Sequence, residues 1–189
     1  MDGLNRAADS SEYSAKKHEP ISNCRFSGTS VMFDILWRAV AIGIGATVLM
    51  DLWAIFLHKA FGQPRPNWGP VGRWVWHLTD KVFHDDIGDA APYAHEVALG
   101  WAFHYVVGIV YGIILVMIAG AGWLAAPTFL PAFILGIVTV GAGWFLLAPG
   151  MGAGWAASKL PNPMLVRTLN LVSHTVFALG LFSTALLIR

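Results

Sequence analysis

The sequence predicts an all-α integral membrane four-helix bundle with a short amphipathic interfacial helix between spans 1 and 2. Three observations carry this. Hydrophobic residues make up 56% of the chain against 12% charged, too apolar a balance for a water-covered surface. Four uncharged or nearly uncharged stretches reach the roughly 20 residues needed to cross a bilayer core. Those stretches are continuously apolar, without the in/out alternation of barrel strands.

Residues 1–33 are read as a disordered polar tail. They are rich in Ser and charge and hold no apolar run long enough for a signal-peptide core. The sharp change at Val31 and Met32 points to Met32 as an alternative native start. Cys24 is the only cysteine, so an intrachain disulfide and a Cys-rich metal or Fe–S site are excluded.

Residues 34–189 are read as the four-span transmembrane domain. Span 1 is expected at about Ile35 to Phe61, span 2 at Val97 to Ala119, span 3 at Thr128 to Ala148, and span 4 at Thr168 to Ile188. Pro131 falls in the first turn or so of span 3, where a missing N–H costs least, and Pro149 is expected to close that span. Between spans 1 and 2, GPVGRWVWHLTDKVFHDD places Val71, Trp74, Val75, Leu78 and Val82 at helical spacing, with Arg73, His77 and Lys81 on another face. That pattern predicts a helix lying in the interface, with Trp74 and Trp76 at headgroup depth and Arg73, His77 and Lys81 contacting headgroups.

An even number of spans puts both termini on one side of the membrane. The loops 62–96 and 149–167 lie on the other, with Lys59, Arg65, Arg73, Lys81, Lys159 and Arg167 near the membrane. Arg25, Arg38 and Arg189 are near the terminal side, and Arg6, Lys16 and Lys17 lie farther out. The charge count near the span ends makes loops 62–96 and 149–167 cytoplasmic. The bilayer is the expected partner, and a net charge of +1 gives no attraction to nucleic acid.

Away from the span ends, where Arg38, His58 and Lys59 fall, the acidic and imidazole side chains are Asp51, His104 and His174. Counted from the loop-side ends of their helices, each sits roughly 10 to 12 Å deep at about 1.5 Å per residue. Thr47, Asp51, Ile55 and His58 share a stripe on span 1. On span 2, Gly100, His104, Gly108 and Gly112 recur at every fourth residue, and small residues at that spacing let another helix approach. On span 4, Arg167, Asn170, His174 and Ala178 form a third stripe. A lone charge in the membrane is costly, so the three are expected to meet in a buried Asp-His-His cluster, with Thr47, His58, Asn170 and Arg167 as supporting polar groups.

Two imidazoles and a carboxylate suit a divalent transition metal by ligand type, and the same groups suit a proton relay in the transport of a small solute. His84, Asp85, Asp86, His95 and Glu96 would form its entrance. One alternative is a non-catalytic scaffold or accessory subunit whose polar groups fix helix register. A second is a redox protein holding haem between His104 and His174, with Gly100 and Gly108 making room for the macrocycle. No GxxxxGK[ST], GxSxG or HExxH pattern occurs. Four spans are few for an autonomous transporter; a homodimer or a partner membrane protein would add more.

The segments GIGATVLMDLW, VGRWVWH, GWAFHYVVGIVYG, and PNP followed by NLVSHTVFALGLF resemble a bacterial inner-membrane family catalogued as domain-of-unknown-function family 2938. The resemblance covers about Ile35 to Ile188. It implies a small four-helix inner-membrane protein and no assigned activity. Residue by residue it carries over Asp51, Arg73, His77, His104, Asn162 and His174.

Overall fold

The computed structural model describes residues 28–189, of which Phe33–Arg189 form one compact unit. Among the described residues there is no strand, and four helices are long and apolar enough to cross a membrane. The chain is a multi-pass membrane protein built as an all-α bundle. Helix α1 spans Gly28–Phe61, α2 Trp68–Trp76, α3 Glu96–Ala119, α4 Ala121–Ala125, α5 Phe129–Gly150 and α6 Pro163–Leu187. Large apolar side chains such as Leu52, Val106, Leu130 and Val138 stand exposed on the spans, as a lipid-facing surface requires.

Small residues set the helix contacts. A Cβ added to Gly112 would lie 2.7 Å from the Gly43 nitrogen, and one on Gly43 would lie 2.6 Å from the Ile109 Cα. So α1 and α3 touch backbone to backbone, as the glycine spacing on span 2 predicts. The same logic joins α6 to α1 at Gly180 and Ala46, 2.6 Å from such a Cβ to the Ala46 Cα, and α5 to α6 at Gly136 and Ala178. The core around these contacts, Ala39, Ile42, Ala46, Leu115, Leu181 and Ala185, is almost fully buried. Trp123 of α4 closes that end, its indole N–H donating to the Thr128 carbonyl at 3.0 Å.

Several boundaries differ from expectation. Helix α1 begins by Gly28, earlier than Ile35, so residues 28–33 of the expected tail are helical; residues 1–27, with Cys24 and Arg25, lie outside the described residues. Helix α6 begins at Pro163 because Asn162 caps it, its side-chain oxygen accepting from the Leu165 N–H at 3.3 Å, and Pro163 occupies the first turn. Helix α5 runs through Pro149 to Gly150 by way of a π-helical stretch, Gly143–Leu147, in which the Ala148 N–H reaches the Gly143 carbonyl. The wider turn lets the helix carry a proline that lacks its own donor.

The interfacial helix is also shorter than predicted. It stops at Trp76, and Lys81 to Asp86 are loop. Gly72 and Gly100 press α2 against the start of α3: a Cβ on Gly72 would lie 2.7 Å from the Gly100 nitrogen. This turns Trp74 inward, where it is 2% exposed and donates its indole N–H to the Val82 carbonyl at 2.8 Å. Trp76 stays at the surface, stacked on Tyr93 with ring centroids 4.0 Å apart.

Candidate functional site

Asp51 on α1 and His104 on α3 meet because the glycine contact brings their helices together about one turn away. The Nε2 of His104 lies 3.1 Å from one carboxylate oxygen of Asp51, and the Tyr105 hydroxyl donates to the other at 2.8 Å. A carboxylate only accepts, so both neighbours are donors and the His104 proton on this side is Nε2–H. Both side chains are mostly buried, 20% exposed for Asp51 and 13% for His104. The imidazole also stacks on Trp68 of α2 at 4.1 Å between centroids, which fixes its plane. Tyr105 is absent from the sequence-derived set. The signal for it is the second oxygen of Asp51, which needs a donor of its own.

His174 does not join this pair. Its Nδ1 lies 3.1 Å from the Gly136 carbonyl and 3.0 Å from the Thr139 hydroxyl, both on α5. The Thr139 hydroxyl itself donates to the Gly136 carbonyl at 2.7 Å. Because Gly136 lets α6 come close, the imidazole finds its partner on the neighbouring helix. The expected Asp-His-His cluster is thereby corrected to two separate polar groupings. Among the described residues no three His, Cys, Asp or Glu side chains gather around one metal-sized point.

What unites the two groupings is a cavity of about 460 Å³, within the range of small-ligand pockets. Both His104 and His174 line it, with Thr47, Thr139, Tyr111 and Asn170 as the other polar contributors. Its remaining wall is apolar or aromatic, and among the described residues no Asp, Glu, Lys or Arg borders it. That composition suits a haem poorly, because its propionates would find no cation in the lining. The π-helical stretch borders the cavity at Gly143, Leu146 and Leu147, and π-bulges recur at functional sites.

At the loop-side end two connections meet, and the segment after Gly150 lines the cavity with Met151, Ala153, Ala157 and Leu160. The His84 N–H donates to the Gly150 carbonyl at 3.1 Å and the Ile87 N–H to the Met151 carbonyl at 3.3 Å. Gly152 and Gly154 turn this segment with φ of 89° and 75°, a conformation glycine adopts freely. Ala156 and Ala157 also have positive φ, 49° and 59°, which is strained for a residue with a Cβ. Arg167 donates to the Ala156 carbonyl at 2.9 Å, so it shapes this loop rather than the Asp51 pair. His58 donates from Nδ1 to the Gln63 carbonyl just past the end of α1, 2.8 Å away.

The residues expected at headgroups have protein partners as well. Arg73 grips Glu96 with a two-pronged contact, Nε to one oxygen at 2.7 Å and an Nη to the other at 3.0 Å. It also donates to the Gly88 carbonyl at 3.2 Å. The hydrogen bond to Glu96 raises the Arg73 pKa further above its already high ordinary value. The Nε2 of His77 donates to the Ala91 carbonyl at 2.9 Å, and Lys81 faces Asp85 at 3.7 Å. Of the expected entrance, His84 bonds the Lys81 carbonyl and Asp86 accepts from the Gly88 N–H at 2.7 Å. These groups hold the connection 77–95 against α2 and α3.

Residues 40–188 match a family described as "Protein of unknown function (DUF2938)". No curated protein and no solved structure matches the chain.

Proposed function

The chain belongs to the DUF2938 family, and from that premise we propose that it holds a proton-relaying site for the passage of a small solute through the membrane. Asp51 and His104 form the relay, and His174 is a second station on the same cavity. One observation supports this above the rest: the His104 ring that donates to Asp51 at 3.1 Å also lines the cavity. With Nε2–H on the carboxylate, Nδ1 of His104 keeps its lone pair. A proton accepted there gives an imidazolium whose charge the Asp51 carboxylate balances at short range, as in other carboxylate–imidazole pairs. Tyr105 holds the carboxylate in place through its second oxygen. In the reading proposed here the membrane is the bacterial inner membrane, with loops 62–96 and 149–167 on the cytoplasmic side.

One other reading has a specific observation behind it. The bonds from Asp51 to His104 and Tyr105, and from His174 to Gly136, all cross between helices, as register-fixing polar groups in a scaffold would. Infrared difference spectra separate the two, recorded on the protein in lipid nanodiscs between about pH 5 and 8, where imidazole titrates. A relay gives coupled carboxylate and imidazole bands that vanish together in Asp51→Asn and in His104→Phe. Bands that are absent in the wild type, or that persist in either variant, contradict the relay and leave the scaffold.

A further inference from the structure

We infer that the cavity is a binding site for a neutral, mostly apolar molecule carrying a ring hydroxyl, of the phenol or hydroquinone class. The inference rests on the proposed function only in placing the ligand at the same cavity. Binding needs no proton transfer, so the two fail separately.

Charge comes first. Among the described residues the lining holds no Asp, Glu, Lys or Arg, and an ion entering such a space would lose its hydration without a countercharge. The occupant is therefore neutral. Shape follows from the walls, where Trp68, Trp74, Phe103, Tyr111 and Phe177 supply ring faces and edges that pack best against another ring.

The polar preference follows from proton placement at His174. The Gly136 carbonyl can only accept, so its contact with Nδ1 at 3.1 Å is an Nδ1–H donation. The Thr139 hydroxyl spends its own proton on the same carbonyl. Nε2 of a neutral His174 is then a bare acceptor, and among the described residues it has no partner. The Asn170 amide and the Tyr111 hydroxyl, on the same cavity, also have no partner there. None of these atoms is sealed off from solvent-sized space, so an occupant of the cavity can reach them. A hydroxyl matches this set: its proton goes to Nε2, and its oxygen accepts from Asn170 or Tyr111. An ether or a plain hydrocarbon of the same shape leaves Nε2 unmet.

Room exists for such a ring beside the π-helical stretch. Gly143 borders the cavity, and a Cβ placed on it meets nothing within 4 Å. A larger side chain there fills space without a backbone clash.

The test uses the full chain in lipid nanodiscs at neutral pH, with 1-naphthol and 1-methoxynaphthalene as probes and empty nanodiscs as the control for partitioning. Equilibrium dialysis is expected to give saturable 1-naphthol binding of one per chain. The methoxy compound should bind about tenfold more weakly, the ratio one hydrogen bond of about 1.4 kcal/mol makes. His174→Phe should abolish the difference between probes, and Asn170→Leu should reduce it, which keeps the test open if the first variant does not fold. Gly143→Leu should weaken both probes together. No saturable binding beyond the empty discs, equal binding of the two probes, or full retention of binding in Gly143→Leu would each overturn the inference.

Discussion

Gly108→Ala is expected to break the Asp51–His104 pair without touching either residue. A Cβ at position 108 would lie 3.3 Å from both the Gly43 carbonyl oxygen and the Thr47 Cβ, and would overlap the Thr47 hydroxyl. Thr47 is 1% exposed, and its hydroxyl is tied to the Gly43 carbonyl at 2.8 Å, so it cannot turn aside freely. Relief comes from parting α1 and α3 by about 1 Å, since atoms in this contact range sit on a steep repulsive wall. Asp51 lies one turn beyond Thr47 and His104 one turn before Gly108. The same parting carries the 3.1 Å contact to about 4 Å, outside hydrogen-bond range. Overpacking of this kind costs about 1–3 kcal/mol.

Reversible unfolding in mixed detergent and SDS micelles measures that destabilisation, and the second substitution Thr47→Ala supplies the control. Removing the hydroxyl removes the overlap, so Gly108→Ala with Thr47→Ala should recover at least half of the stability that Gly108→Ala alone removes. Wild-type stability in the single variant, or no recovery in the double, would refute the packing argument.

Three further outcomes follow from particular contacts. Arg73→Lys keeps the charge but removes the forked grip on Glu96 and the bond to Gly88; thermolysin should cut within residues 77–95 several-fold faster, and an unchanged rate would contradict the clamp. Trp74→Phe removes the indole donor to Val82 at a site 2% exposed and should cost about 1–3 kcal/mol in the same unfolding assay; a neutral result would mean that water replaces the indole. Asn162→Ala removes the cap of α6 and should cost about 0.5–2 kcal/mol, with faster hydrogen exchange at the Leu165 amide; an unchanged amide would place the helix start elsewhere.

The four spans are legible in the sequence because lipid demands continuous apolar length, and that demand is local. Helix ends are less so. Asn162 and Pro163 are readable as a cap and a first-turn proline, yet hydropathy alone starts span 4 at Thr168. The glycine stripe of span 2 correctly implies a close helix, because Gly108 and Gly112 can serve little else at that spacing. Depth arithmetic brings Asp51, His104 and His174 to one level, but it carries no information on which helices are neighbours. Asp51 and His104 share a contact through α1 and α3, while His174 is satisfied on α5 through Gly136. Periodicity makes Trp74 an interfacial anchor; the contact of Gly72 with Gly100, which buries it, joins residues far apart in sequence. The cavity itself draws on several helices and on the connection after Gly150, so no local pattern announces it.

The central claim is that His104 donates from Nε2 to Asp51 and keeps Nδ1 available. Solid-state NMR of the protein in lipid bilayers, with labelled histidine nitrogens and aspartate carboxyl carbons, reads this directly at neutral pH. The expected result is a short dipolar coupling between a protonated Nε2 of His104 and the Asp51 carboxyl carbon, with Nδ1 unprotonated, and Asp51→Asn should release the imidazole to either tautomer. A His104 that is protonated at Nδ1 instead, or that shows no coupling to the Asp51 carboxyl carbon, would contradict the account.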